Sequence, residues 1–348
     1  MVVIDINGII FDVKKETNLQ NKCYRDLLYS TLKSDEIVSD TLHVVAVISN
    51  ICKFKRRYEL MEQFISRYEQ YTNIKLYVVE LAYGDQEFQI TSSSNPNHLQ
   101  LRAEHALWHK ENIINLGIQK LLPPDWKAVA WIDGDIEFEN TNWASDTLKV
   151  LTKFDLVQLF TTSFDLDEND IPMTIFQSFG YKYCNGEKFN HNRGVNYWHP
   201  GYAWACTRDF YYKIGGLYDK GILGSGDYIL TQGILNNIAC GDKNLREFHN
   251  DIKKYVDNIS SLDIKLGFVP GNIRHFFHGS KKNRKYVERN QILLKYNYDP
   301  IKDIKYDENG IIVPTDNFPQ EFIDDILKYF KQRNDDEYYE LKAIKYSD

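Results

Sequence analysis

Between His43 and Ile132 the chain alternates strand and helix signals, and no other feature of its 348 residues restricts the fold as much. His43-Val-Val-Ala-Val-Ile-Ser49 is a β-branched run of strand length, and residues 56–71 follow with Leu60, Phe64, Ile65 and Tyr68 at helical spacing. Lys75-Leu-Tyr-Val-Val-Glu-Leu81 reads as the next strand. Leu101 to Leu122 reads as one long helix stopped by Pro123-Pro124, and Ala128 to Ile132 as a third strand. Strands separated by helices pair in parallel through right-handed crossovers. The expectation is therefore an α/β fold with a Rossmann-like, mostly parallel sheet sandwiched by helices. Ligands of such sheets sit beyond the carboxyl ends of the strands, where Asn50, Glu80 and Asp133 fall.

The third strand delivers Asp133-Gly134-Asp135. In an extended segment alternate side chains share a face, so the two carboxylates can point the same way while Gly134 admits a close neighbour. Hard oxygen ligands suit Mg²⁺ or Mn²⁺, and such an ion neutralises a diphosphate. Paired acids also occur in solvated turns. Here the pair stands where a ligand crevice is expected, which favours the metal.

Two further clusters carry chemistry. Ile273-Arg-His-Phe-Phe-His-Gly-Ser280 runs into Lys281-Lys-Asn-Arg-Lys285, placing His275 and His278, both candidate metal ligands, beside a basic segment able to face a departing diphosphate. The simpler reading makes one histidine a hydrogen-bonded core residue and the basic run a solvated helix start. His199-Pro-Gly-Tyr-Ala-Trp-Ala205 offers His199, Gly201, Tyr202 and Trp204 as an acceptor surface, because flat aromatic faces stack on sugars and glycine permits close approach. Asp227, in Gly224-Ser-Gly-Asp227, is a candidate general base or, more simply, the cap of a helix beginning at Tyr228.

Around this core, Asn7-Gly8 and Asn309-Gly310 each lie between apolar runs and predict hairpins. Residues 165–196 read as a long loop, and 322–330 as a docking helix. The expected division is an appendage over 1–40, a catalytic domain over 41–298 and a C-terminal hairpin and helix over 299–348. A net charge of -7 gives no global attraction to nucleic acid, although Lys281 to Lys285 can meet phosphates locally. Cys23, Cys52, Cys184, Cys206 and Cys240 lack paired spacing and read as reduced thiols. The acid-containing start Met1-Val-Val-Ile-Asp5 does not resemble a signal peptide, and no apolar run is long enough for a membrane span. The expected location is cytoplasmic, in the host cytoplasm if the source is viral.

The order Trp131-Ile-Asp-Gly-Asp-Ile136, Pro200-Gly-Tyr-Ala-Trp-Ala205, Gly215-Gly-Leu217, Gly224-Ser-Gly-Asp227 and His275-Phe-Phe-His-Gly279 resembles nucleotide-sugar glycosyltransferases of the GT-A fold over roughly Leu42 to Asn297. It is similar to a bacterial, phage and giant-virus branch of the family 2-like enzymes. The resemblance implies a UDP-sugar or related donor, Mn²⁺ or Mg²⁺, and a hydroxyl acceptor on a glycan or a modified DNA base. It further implies Asp135 as the more direct metal ligand, Asp133 nearer the donor ribose and sugar, and a late histidine, His275 or His278, completing the metal shell. Many relatives have Glu-Asp where this chain has Gly226-Asp227, so Asp227 either accepts the proton of the attacking hydroxyl or only orients the acceptor. Asn50, Arg57, Tyr58 and Glu80 would frame the base, and Lys110 and Lys281 would meet phosphate. A metal-dependent nucleotidyl or phosphoryl transferase could use the same two aspartates, and a carbohydrate-binding module could use the aromatics.

Overall fold

The computed structural model describes residues 2–6, 9–13, 23–189, 197–237, 245–286 and 288–345. β1 (Val2–Ile6) and β2 (Ile9–Val13) pair antiparallel with Ile6 opposite Ile9; the Asn7-Gly8 turn expected between them lies outside the described residues. α1 (Arg25–Leu32) leads into the core.

β3 (Leu42–Ser49), α2 (Lys55–Tyr68), β4 (Ile74–Tyr83), β5 (His98–Ala103), α3 (Lys110–Leu121) and β6 (Ala128–Ile132) form the predicted crossover unit. β3 pairs in parallel with both β4 and β6, and β4 with β5. One expectation needs correction here: residues 101–122 are not a single helix. His98-Leu-Gln-Leu-Arg-Ala103 alternates with a period of two, burying Leu101 and Ala103 while Arg102 stays exposed, so it adds an edge strand before the helix begins at Lys110.

The chain then builds a second sheet. β7 (Ile136–Phe138), α4 (Trp143–Val150), β8 (Leu156–Gln158), β9 (Thr162–Leu166), β10 (Pro172–Ser178) and α5 (Phe179–Cys184) come first. β11 (Trp198–His199), β12 (Ala203–Thr207), α6 (Arg208–Ile214), α7 (Gly226–Leu235), α8 (Arg246–Ser260), β13 (Leu266–Phe268) and β14 (Asn272–His275) follow. The larger sheet has the order β13-β8-β12-β6-β3-β4-β5, the smaller β11-β10-β9-β14-β7. Residues 165–189, expected as loop, thus hold strand and helix; residues 190–196 lie outside the described chain. β9 buries the polar Ser163 and Asp165 at alternate positions and β10 leaves Met173 and Ile175 exposed, so neither strand shows an apolar buried face in sequence.

The larger sheet is covered on both faces. Val44, Ala46 and Ile48 pack in one core with Phe64 and Trp143, and Val45 packs in the other with Ile113, Leu116 and Trp131. Gly117 sets how closely α3 approaches: a Cβ there would stand 2.8 Å from Val79 Cγ2 and 2.9 Å from Val45 Cγ1.

After a 3-10 turn at Lys281–Arg284 come α9 (Asn290–Lys295), β15 (Ile304–Tyr306), β16 (Ile312–Pro314), α10 (Gln320–Gln332) and α11 (Glu337–Lys345). β15 and β16 form the predicted second hairpin. α10 buries Phe322, Ile326 and Phe330 in a third core shared with Leu107, Ile222 and Tyr298. No helix among the described residues is long and apolar enough to cross a membrane.

Candidate functional site

The site forms where the chain passes from the larger sheet to the smaller. β6 ends at Ile132 and β7 begins at Ile136, so Asp133 to Asp135 make the turn between sheets. Register brings in the rest. On β14, His275 lies opposite Ile136 on one side and Asp165 of β9 on the other. The turn is fixed by backbone bonds: Asp133 N–H donates to Tyr202 O at 2.9 Å, and Phe276 N–H to Asp135 O at 2.9 Å.

Asp135 Oδ2 lies 2.9 Å from His278 Nε2 and 3.8 Å from His275 Nε2, and the two Nε2 atoms are 3.2 Å apart. These three donor atoms lie within 4.8 Å of one another, a spacing that suits ligands of one ion. Asp135 Oδ1 is buried without a hydrogen-bond partner, and such an atom normally has one. Burial would raise the Asp135 carboxyl, but the His278 and His275 imidazoles hold it well below the usual range. Against its own burial, His275 is lifted to about 9 by Asp135 and Asp165. One carboxylate and two imidazoles fit a divalent ion of the Mn²⁺ type.

Asp133 does not join them. Its Oδ1 is 2.6 Å from Lys110 Nζ, which also lies 3.7 Å from Asp227 Oδ2. The alternation that predicted a shared face holds only for extended chain, and Gly134-Asp135 turn instead. Burial raises the Asp133 carboxyl to about 6 despite the lysine. Lys110, the first residue of α3, therefore links the turn to Asp227 in the first turn of α7. Asp227 is not a cap: α7 starts at Gly226, after Ser225.

The acceptor-side candidates separate into wall and core. Tyr202 holds a φ of 81°, a strained value for a side chain of this size, in a turn fastened by Gln158 Nε2 donating to His199 O at 3.0 Å and to Gly201 O at 2.9 Å. The His199 and Tyr202 rings stack at 4.2 Å, and burial pushes the His199 imidazole down to about 3. At Gly201 a Cβ would crowd His199 Cε1 at 3.2 Å and reach ordinary contact with Asp227 Oδ2 at 3.5 Å. Trp204 corrects the sequence reading: it is fully buried on β12, with Nε1–H donating to Pro200 O at 2.8 Å, and presents no face to a sugar.

Sequence reasoning missed Asp165. Almost wholly buried, it accepts from Tyr202 Oη at 2.6 Å, sits 3.2 Å from His275 Nδ1 and is ion-paired with Lys281, so the lysine expected at a phosphate is tied to the wall. The available signal was an acid between apolar neighbours, Phe164 and Leu166, in a strand-length segment.

Of the expected base-framing residues, Asn50 exchanges both amide bonds with the Phe54 backbone, at 2.8 and 3.0 Å. Glu80 is buried and accepts from the backbone N–H groups of Gln89, Ile90 and Thr91 and from Thr91 Oγ1, which occupies its carboxylate with a loop. Asn50 and Arg57 line a cavity of about 40 Å³ with Ser49, Tyr83 and Trp108. Tyr58 is half-buried on α2 beside Asn50. Cys52 also lines that cavity; Cys184 and Cys206 are buried, Cys23 is exposed, and Cys240 lies outside the described residues.

No protein-family model and no curated protein sequence matches the chain. Among solved structures, a mannosyltransferase from Pyrobaculum calidifontis in complex with GDP-Man and Mn²⁺ aligns at a TM-score of 0.39 and 12% identity, covering 82% of this chain and 73% of the other. A mutant of a Drosophila β-1,4-galactosyltransferase 7 in complex with manganese, UDP-Gal and xylobiose aligns at 0.34 and 10% identity, covering 79% and 94%. A 4-diphosphocytidyl-2C-methyl-D-erythritol synthase from Anaerococcus prevotii aligns at 0.30 and 11%, covering 84% and 96%. The first two are, by their own descriptions, sugar transferases bound to a nucleotide sugar and manganese. At TM-scores of 0.30 to 0.39 and identities of 10 to 12% these likenesses carry no argument about this chain.

Proposed function

We infer that the chain is a metal-dependent glycosyltransferase moving a sugar from a nucleoside diphosphate, UDP being the expected one, to a hydroxyl on a glycan or a modified DNA base. The observation that carries this reading is the set Asp135, His275 and His278, with an orphaned carboxylate oxygen, beside an acid and a lysine on one side and an aromatic wall on the other. A bound Mn²⁺ or Mg²⁺ would neutralise the departing diphosphate.

The residues divide the remaining work. Lys110 holds Asp133 towards the donor sugar and lies within reach of Asp227. Asn50, just past the carboxyl end of β3, and Arg57, on the first turn of α2, line the cavity that would face the nucleotide; Tyr58 stands on α2 beside Asn50, and Glu80 orders residues 89–91. His199, Gly201 and Tyr202 present the acceptor, and Lys281 braces the wall through Asp165. As the bond between sugar carbon and phosphate oxygen breaks and the acceptor oxygen bonds to that carbon, the hydroxyl proton passes to the Asp227 carboxylate.

Donor hydrolysis and thermal stability of Asp135→Ala test the reading together. It predicts a folded variant with hydrolysis lost; unchanged hydrolysis in a folded variant contradicts it.

A further inference from the structure

Beside the candidate metal centre, Arg57, Arg284 and Arg333 converge on one carboxylate, Asp335, which is fully buried. Arg57 Nε pairs with Asp335 Oδ2, while Arg284 Nη2 and Arg333 Nε stand 3.5 and 3.9 Å from Oδ1. Neither Oδ1 nor Arg333 Nε completes a hydrogen bond, although both are buried. Three guanidiniums thus face a single carboxylate that satisfies only one of them well. Asp135 also acts on Arg57, whose side chain is 26% exposed, so three guanidiniums meet two carboxylates and keep a positive surplus that a further anion would balance.

The neighbouring residue repeats the pattern. Asp336 accepts from the backbone N–H groups of Lys55 at 3.0 Å and Arg56 at 2.9 Å, filling the amino end of the fourteen-residue helix α2, a position suited to phosphate. Two consecutive carboxylates therefore occupy two adjoining anion-binding positions, and both come from the junction of α10 and α11. Arg57 and Arg333 also line the cavity of about 40 Å³ that includes Asn50 and Trp108, which is water-sized, so a diphosphate reaches the cage only as Asp335 gives way. On its other side Arg284 Nη2 donates to His278 O at 3.0 Å, and His278 Nδ1 is 3.7 Å from Asp335 Oδ1.

We propose that Arg57, Arg284 and Arg333 form an oxyanion seat for the phosphates of a nucleoside diphosphate, and that Asp335, with Asp336 beside it, is an internal anion competing for that seat. The C-terminal segment is then part of the donor site, supplying both a ligand in Arg333 and a competitor in Asp335. Only the identity of the phosphate compound rests on the transferase reading.

Competition predicts a sign that a structural ion pair does not. Calorimetric titration of the full chain with inorganic pyrophosphate, in EDTA so that no metal contributes, compares wild type, Asp335→Asn and Asp335→Asn/Arg333→Gln. Removing the competing charge tightens pyrophosphate binding by roughly tenfold, and the added Arg333→Gln abolishes the gain. Equal or weaker binding by a folded Asp335→Asn overturns the proposal. If Asp335→Asn alone does not fold, the pyrophosphate-induced rise in melting temperature of wild type is compared with that of Arg333→Gln. A loss of the rise supports the seat, and an equal rise overturns it. The transferase reading fails separately, by absent donor hydrolysis in wild type with metal, whatever pyrophosphate does.

Discussion

Glu111→Gln tests the electrostatics beside Asp227. Glu111 is the second residue of α3 and only 6% exposed; its Oε2 accepts from Trp108 Nε1 at 2.9 Å, and its Oε1 lies 2.4 Å from where a Cβ on Gly226 would stand. Burial, helped by Asp227 and opposed by Lys110, raises the carboxyl from 4.5 to about 7. An acid whose folded value lies above its unfolded one binds its proton more tightly in the native state. That contribution is fully present below pH 4.5 and is lost as pH rises through about 7. The difference corresponds to about 3 kcal/mol. Glutamine keeps an acceptor for Trp108 and cannot ionise. Urea unfolding of both proteins from pH 4.5 to 8 should show the variant gaining on wild type by about 3 kcal/mol across the range, most of it between pH 5 and 7. Stability curves that run parallel across that window would refute the buried, proton-holding carboxyl.

Two other substitutions probe separate links. Asp165→Asn, which removes the charge 3.2 Å from His275 Nδ1, should weaken Mn²⁺ binding by roughly 10- to 100-fold in calorimetric titration, since such partners orient a metal-binding imidazole; unchanged affinity would limit Asp165 to the aromatic wall. Gly117→Ala should lower the urea midpoint, because overpacking against Val45 and Val79 costs about 1–3 kcal/mol and exceeds the ~1 kcal/mol that alanine gains inside a helix. A higher midpoint would show that α3 can shift off the sheet freely.

Much of the fold was legible because it is written in local periodicity. The strands at 43–49, 75–81 and 128–132, the helix after residue 55 and the hairpin around Asn309-Gly310 all carry their pattern within a dozen residues. Misreadings came where two patterns overlap or a pattern is polar. Leu99, Leu101 and Ala103 satisfy a strand, yet no glycine or proline separates them from the helix that begins at Lys110. β9 buries Ser163 and Asp165 instead of aliphatic residues, so its alternation resembles a solvated loop. The site was legible as residue types and less so as partners. Asp133 and Asp135 part because they sit in a turn, and nothing local to Asp335 announces that it meets Arg57, 278 positions away. Trp204 reads as a platform in sequence and becomes core because β12 is an inner strand of the larger sheet.

On the proposed function Asp135, His275 and His278 would hold a divalent ion that neutralises the diphosphate of the donor. Calorimetric titration of UDP into wild type and His278→Ala, each with Mn²⁺ and with EDTA, measures it directly. Mn²⁺ should strengthen UDP binding to wild type by at least about tenfold, and His278→Ala should lose this gain. Equal UDP affinity with and without metal in wild type would contradict it.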